Sequence, residues 1–98
     1  MEREKTINTL RLHAVDLKSR AVNDLSLFGS TARGDATSDS DIDLLIDIAP
    51  DAAFSLVDLA NLKQHLDALL DGDVDLTIRS DIKPFLRDSI LEDEIRVF

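Results

Sequence analysis

Residues 27–48 read LFGSTARGDATSDSDIDLLIDI. An apolar Leu27-Phe28 pair runs into Gly29-Ser30. A polar stretch follows, and then Asp41 and Asp43 stand two apart inside an otherwise apolar run. The alternation over 41–48 predicts a β-strand, with Ile42, Leu44 and Ile46 on one face and Asp41, Asp43 and Leu45 on the other. Residues i and i+2 of a strand point the same way, so the two carboxylates project side by side. Such a pair repels, and one pKa rises unless a cation sits between them. The apolar surroundings imply a largely buried strand, which increases that cost. A divalent metal removes it, because hard cations such as Mg²⁺ take carboxylate oxygens, usually together with substrate phosphates.

The turn before the strand supplies a complementary function. Gly29 accepts backbone angles that let a phosphate approach the main chain. Ser30 offers a hydroxyl, and N–H groups at the start of a helical turn over 30–33 form an anion site. Ser30 also suits a plain helix cap. Arg33 is placed either to reach a phosphate or to pair with Asp35 or Asp39, and Ser40 is read as a residue that hydrogen-bonds the loop.

Working outward, Ile7, Leu10, Ala14, Leu17 and Ala21 recur at three- and four-residue steps and predict one helix over 4–21, ended by Asn23-Asp24. LSLF, 25–28, reads as a short strand. Leu56, Leu59, Leu62, Leu66 and Leu69 predict a helix over 53–70, and DGD, 71–73, a turn. VDLTIR, 74–79, alternates as a strand, Pro84 fits the first turn of a helix over 84–92, and IRVF closes with a last short strand. The order predicts a single small α/β domain over 1–98, a short mixed sheet packed with helices. Asp75 enters the third strand at its second position. If that strand lies beside 41–48, Asp75 faces the same side as Asp41 and Asp43. Three carboxylates there suit a two-metal site, which clamps the attacking and leaving oxygens of an in-line phosphoryl displacement. Asp73 shares a face with Asp75, but it follows Gly72 and reads as a turn residue.

Bulk composition narrows the function. With 98 residues, 44% of them hydrophobic, the chain forms one globular domain. It has no cysteine, which excludes disulfides and thiolate metal sites and fits a cytoplasmic location. The charged start MEREKTINTL is no signal peptide, and no apolar run approaches a membrane span. A net charge of −9 argues against direct nucleic-acid or anionic-membrane binding. A phosphate ligand therefore needs metal ions to supply positive charge. His13 and His65 lack metal-ligand spacing and read as half-exposed helix residues.

Gly29-Ser30, ten residues and then Asp41-Ile42-Asp43 resembles the signature of the DNA polymerase beta-like nucleotidyltransferases. The fuller string LFGSTARGDATSDSDIDLLI, the short chain and the tail VDLTIRSDIKPFLRDSILEDEIRVF resemble the minimal nucleotidyltransferase (MNT) branch of prokaryotes. The resemblance implies Mg²⁺-dependent transfer of a nucleoside monophosphate, AMP from ATP, to an acceptor hydroxyl. Asp41 and Asp43 would bind two Mg²⁺ ions. Asp75 would bind the ion nearest the acceptor and help deprotonate its hydroxyl. Gly29 and Ser30, with Arg33 as a further candidate, would hold the nucleotide's phosphates. MNT proteins are paired with HEPN-domain partners, often RNase toxins, and some adenylylate a tyrosine on them. The expected role is therefore an antitoxin enzyme. The rival expectation is a non-catalytic antitoxin that masks a HEPN RNase by binding, its acidity mimicking RNA. A weaker third is one subunit of an aminoglycoside-type transferase, with the acceptor domain on another chain.

Overall fold

A computed structural model describes residues 3–34 and 41–98. The chain runs α1 (Arg3–Leu12), α2 (Ala14–Ser19), β1 (Val22–Leu27), α3 (Gly29–Arg33), β2 (Ile42–Ile48) and α4 (Leu56–Leu70). It continues through β3 (Val74–Ile78), a 3₁₀ turn (Arg79–Asp81), α5 (Pro84–Glu92) and β4 (Ile95–Arg96). The strands form one sheet in the order β3-β2-β1-β4. β1 pairs antiparallel with β2 and β4, whereas β2 and β3 are parallel, joined by the crossover helix α4. The expected small mixed α/β architecture is the one found.

The core lies on one face of the sheet. Leu25 and Leu27 of β1, Leu44 and Ile46 of β2 and Val74 of β3 meet Leu10 and Leu17 of the N-terminal helices and Leu62, Leu66 and Leu70 of α4. The four-residue spacing of those last three leucines gives α4 its single buried stripe. The sheet's second face carries Ser26, Asp43, Leu45, Asp47, Asp75 and Thr77, as the strand registers dictate. Leu45 is fully buried there, so β2 is covered on both faces at its centre.

Two expected helices are corrected. The helix read over 4–21 is broken at His13. The His13 N–H bonds to the Leu10 carbonyl three residues back, and the ring Nδ1 lies 2.9 Å from the Thr9 carbonyl oxygen. The chain re-aims there, and Leu10 and Leu17 are both still fully buried. Asn23 and Asp24 do not end the helix but belong to β1. The turn falls earlier, at Ala21, whose φ of 74° is left-handed. The second correction concerns α4, which begins at Leu56, not at 53. Ser55 Oγ accepts from the Asp58 N–H, and the Asp58 carboxylate accepts from the Ser55 N–H. This capping box fixes the start.

Candidate functional site

Asp43 is the residue on which the local architecture converges. β1 ends at Leu27, and Phe28 is held extended, its N–H donating to the Asp43 carbonyl at 3.2 Å. Gly29 then turns the chain with φ 59°. A Cβ at Gly29 would lie 2.7 Å from Asp43 Oδ2, so only glycine lets the backbone come this close to the carboxylate. Thr31, buried in α3, accepts from the Asp43 N–H through Oγ1 at 2.9 Å. Gly34 ends α3 in the left-handed conformation, with φ 79°. The first turn of the short helix is thus fastened to β2 at one residue, Asp43. Thr31 was not singled out from the sequence. Its signal is a β-branched hydroxyl two residues past the glycine, which by itself reads as ordinary helix.

Asp75 stands directly opposite Asp43 in the parallel ladder. Adjacent strands run about 4.8 Å apart, so the two side chains share one face as close neighbours. Asp41 lies just ahead of β2, roughly 6.6 Å along the strand from Asp43. Asp41 and Asp75 are exposed, while Asp43 is half-buried. Burial pushes the Asp43 carboxyl above its ordinary range, and the charges of Asp75 and Asp41 push it further. Arg33 and a hydrogen bond from the Ser30 hydroxyl oppose that rise without cancelling it. Asp73 lies outside the cluster, in the turn before β3, ion-paired to Lys63 at 2.9 Å.

The remaining expectations divide. Ser30 does not cap α3, because the cap position is Phe28 and it makes no side-chain cap bond; the Ser30 hydroxyl bonds towards Asp43 instead. Arg33 is ion-paired at 2.8 Å with Asp93, sixty residues on, a partner that local reading did not offer. Asp35, Asp39 and Ser40 lie outside the described residues. His65 is half-buried on α4, with Nε2 3.0 Å from Asp16, and has no part in the site.

Gly29, Ser30, Asp41, Asp43 and Asp75 therefore gather on the second face, with Arg33 close enough to act on Asp43 electrostatically. Among the described residues, no group of three or more His, Asp or Glu side chains is drawn together tightly enough to hold a metal by itself. The arrangement presents unbalanced negative charge on hard oxygen donors, centred on a carboxylate that burial and its neighbours both disfavour. That donor chemistry fits a hard divalent cation. Among the described residues, no helix is long and apolar enough to cross a membrane.

Residues 10–97 match the family model described as a nucleotidyltransferase domain. The chain is 34% identical over 95 residues to the protein adenylyltransferase MntA of Thermococcus cleftensis, covering 96% of this chain and 94% of that protein. It superposes on the solved structure of a candidate minimal nucleotidyltransferase with a TM-score of 0.77 at 35% identity, covering 97% and 95% of the two chains. A more distant likeness, at 19% identity and TM-score 0.67, is to the structure of a tri-AMPylated Shewanella oneidensis HEPN toxin in complex with MNT antitoxin, over 98% of this chain and 71% of that one. That last match speaks for the fold.

Proposed function

Because this chain belongs to the nucleotidyltransferase domain family, in the minimal branch that includes MntA, we propose that it transfers AMP from ATP to a hydroxyl of a HEPN-type toxin, a tyrosine, and so acts as its antitoxin. The observation that carries this reading is the pairing of Asp43 with Asp75 across β2 and β3, with Gly29 pressed against Asp43 from the other side. Support for the acceptor comes from the AMPylated HEPN toxin bound to its MNT antitoxin in a protein of the same fold.

Each residue then has a task. Gly29 and Ser30 receive the triphosphate on the β1 side of Asp43, with backbone N–H groups and a hydroxyl as donors. Arg33 is a further cation for the phosphates if it leaves Asp93. Asp41, Asp43 and Asp75 would hold two Mg²⁺ ions, which supply charge neutralisation for the phosphates when bound. Asp75, on the exposed side, accepts the proton of the acceptor hydroxyl. The hydroxyl oxygen forms a bond to the α-phosphorus as the bond to the β-phosphate bridging oxygen breaks. AMP stays on the acceptor and pyrophosphate leaves. The net charge of −9 makes free ATP a poor ligand, so binding should depend on the divalent ion.

The test is an intact-mass measurement. A HEPN-type protein, sought first in the neighbouring gene, is incubated with this chain, ATP and Mg²⁺, next to an Asp41→Ala, Asp43→Ala double variant. One or more AMP increments on the partner with wild type, and none with the variant, is the expected result. A tight complex without any mass gain would instead favour the masking antitoxin, a reading to which the acidic surface lends itself. Transfer that survives the double substitution would overturn the carboxylate site.

A further inference from the structure

β3 is an edge strand, and a groove of about 360 Å³ follows its outer side. Leu56, Leu59 and Ala60 of α4 form one wall, and Val74, Asp75 and Leu76 of β3 form the other. The groove therefore joins the apolar start of α4 to a site carboxylate. Leu56 is 84% exposed, and Val57 next to it is 68% exposed. The capping box at Ser55 and Asp58 holds this first turn of α4 in place, so the leucine is presented on a fixed helix end.

We propose that this groove docks the acceptor segment of the modified protein, and that it selects a hydroxyl side chain flanked by apolar and basic residues. The inference rests on the nucleotidyl-transfer reading above and says where the acceptor binds. An in-line displacement needs the attacking and leaving oxygens on opposite sides of the phosphorus. Gly29 and Ser30 follow β1, on one side of Asp43, and the groove lies beyond β3, on the other. The two entrances are thus already opposed across the central strand. The occupant is another protein: on the tyrosine reading above, a second copy cannot supply the acceptor, because the chain has no tyrosine. The flanking charge also follows from the rim. Asp75 is the exposed carboxylate of the lining, and the one cation there, Lys63, is ion-paired to Asp67 and Asp73, so the unpaired charge facing an occupant is negative.

Two synthetic hexapeptides, KLYLKR and KSYSKR, test this. With ATP and Mg²⁺ the wild type is expected to modify the leucine peptide with kcat/KM at least about tenfold higher, the scale of discrimination an apolar contact provides. In Leu56→Ser that preference falls to within about threefold because kcat/KM drops more on KLYLKR than on KSYSKR, whereas a folding defect would lower both alike. A second readout is independent of catalysis. The chain has no cysteine, so Leu56→Cys carries a single thiol for a benzophenone label. Irradiation should cross-link it to KLYLKR, and the same label at Leu12→Cys, 83% exposed on α1, should not. An undiminished leucine preference in Leu56→Ser, or equal cross-linking from both positions, overturns the groove. Release of AMP and pyrophosphate from ATP with neither peptide modified overturns the groove alone. No ATP turnover at all overturns the reading of the site, and the cross-link then still decides the groove.

Discussion

Asp43 is held in a place where its charge is unfavourable. Burial and the facing carboxylates of Asp75 and Asp41 raise its pKa, so the folded chain binds that proton more tightly than the unfolded chain does. The resulting loss of stability begins near pH 3.8, where the unfolded group ionises, and is complete once the pH exceeds the folded group's own higher pKa. Asp43→Asn keeps the shape and removes the charge. Without divalent ions at pH 7 it should melt higher than wild type, by on the order of a few degrees, with transfer abolished. The two should melt together below pH 3.8. Mg²⁺ should raise the melting temperature of wild type more than that of Asp43→Asn, and a differential-scanning series over pH and Mg²⁺ checks all three. The placement of this residue was legible in the sequence, because the alternation sets Asp43 on the face away from Ile42, Leu44 and Ile46, beside the Gly29-Ser30 turn. Its supports were less legible. Thr31 meets the Asp43 N–H, and Arg33 meets Asp93, only after the chain has folded back on itself.

At the scale of elements, apolar periodicity located β2, β3 and α4, and its failures came where polar groups compete for the backbone. His13 takes the Thr9 carbonyl with its ring and the Leu10 carbonyl with its N–H, so an unbroken apolar stripe conceals two helices. At α4, Leu56 continues the leucine pattern, yet the capping box sets where the helix begins. Ser55→Ala should therefore cost about 1 kcal/mol, read by urea denaturation. Leu66→Ala, at a fully buried position, should cost about 2–5 kcal/mol in the same assay. Because Leu56 follows the cap directly, Ser55→Ala should also weaken any binding that uses the first turn of α4.

The whole molecule is tied together across its second face by Glu94. Its carboxylate accepts from the buried Ser26 hydroxyl of β1 at 2.6 Å and from two guanidinium nitrogens of Arg79, which follows β3. Arg79 holds the Glu94 carboxyl below its ordinary value, against the effect of burial and with help from Ser26. A lowered folded pKa means this contribution is fully present above pH 4.5 and is lost as pH falls through the folded value. Glu94→Gln should cost roughly 1–3 kcal/mol at neutral pH. Its urea midpoint should approach that of wild type as the pH is taken below the folded value. None of this network was visible beforehand, since Ser26, Arg79 and Glu94 become neighbours only through the sheet order.

The parallel pairing of β2 with β3 has a consequence for how such a chain is made. Asp43 and Asp75 are brought level by a ladder that closes only after α4 has crossed over and settled. On the proposed reading, a nascent or half-folded chain would therefore lack the Asp43–Asp75 pair and with it a complete place for a nucleotide. Reactivity arrives in the same cooperative step as the sheet. On the same reading, a product of interrupted synthesis that stops short of β3 would be inert, and would not attach nucleotides to whatever hydroxyl it meets.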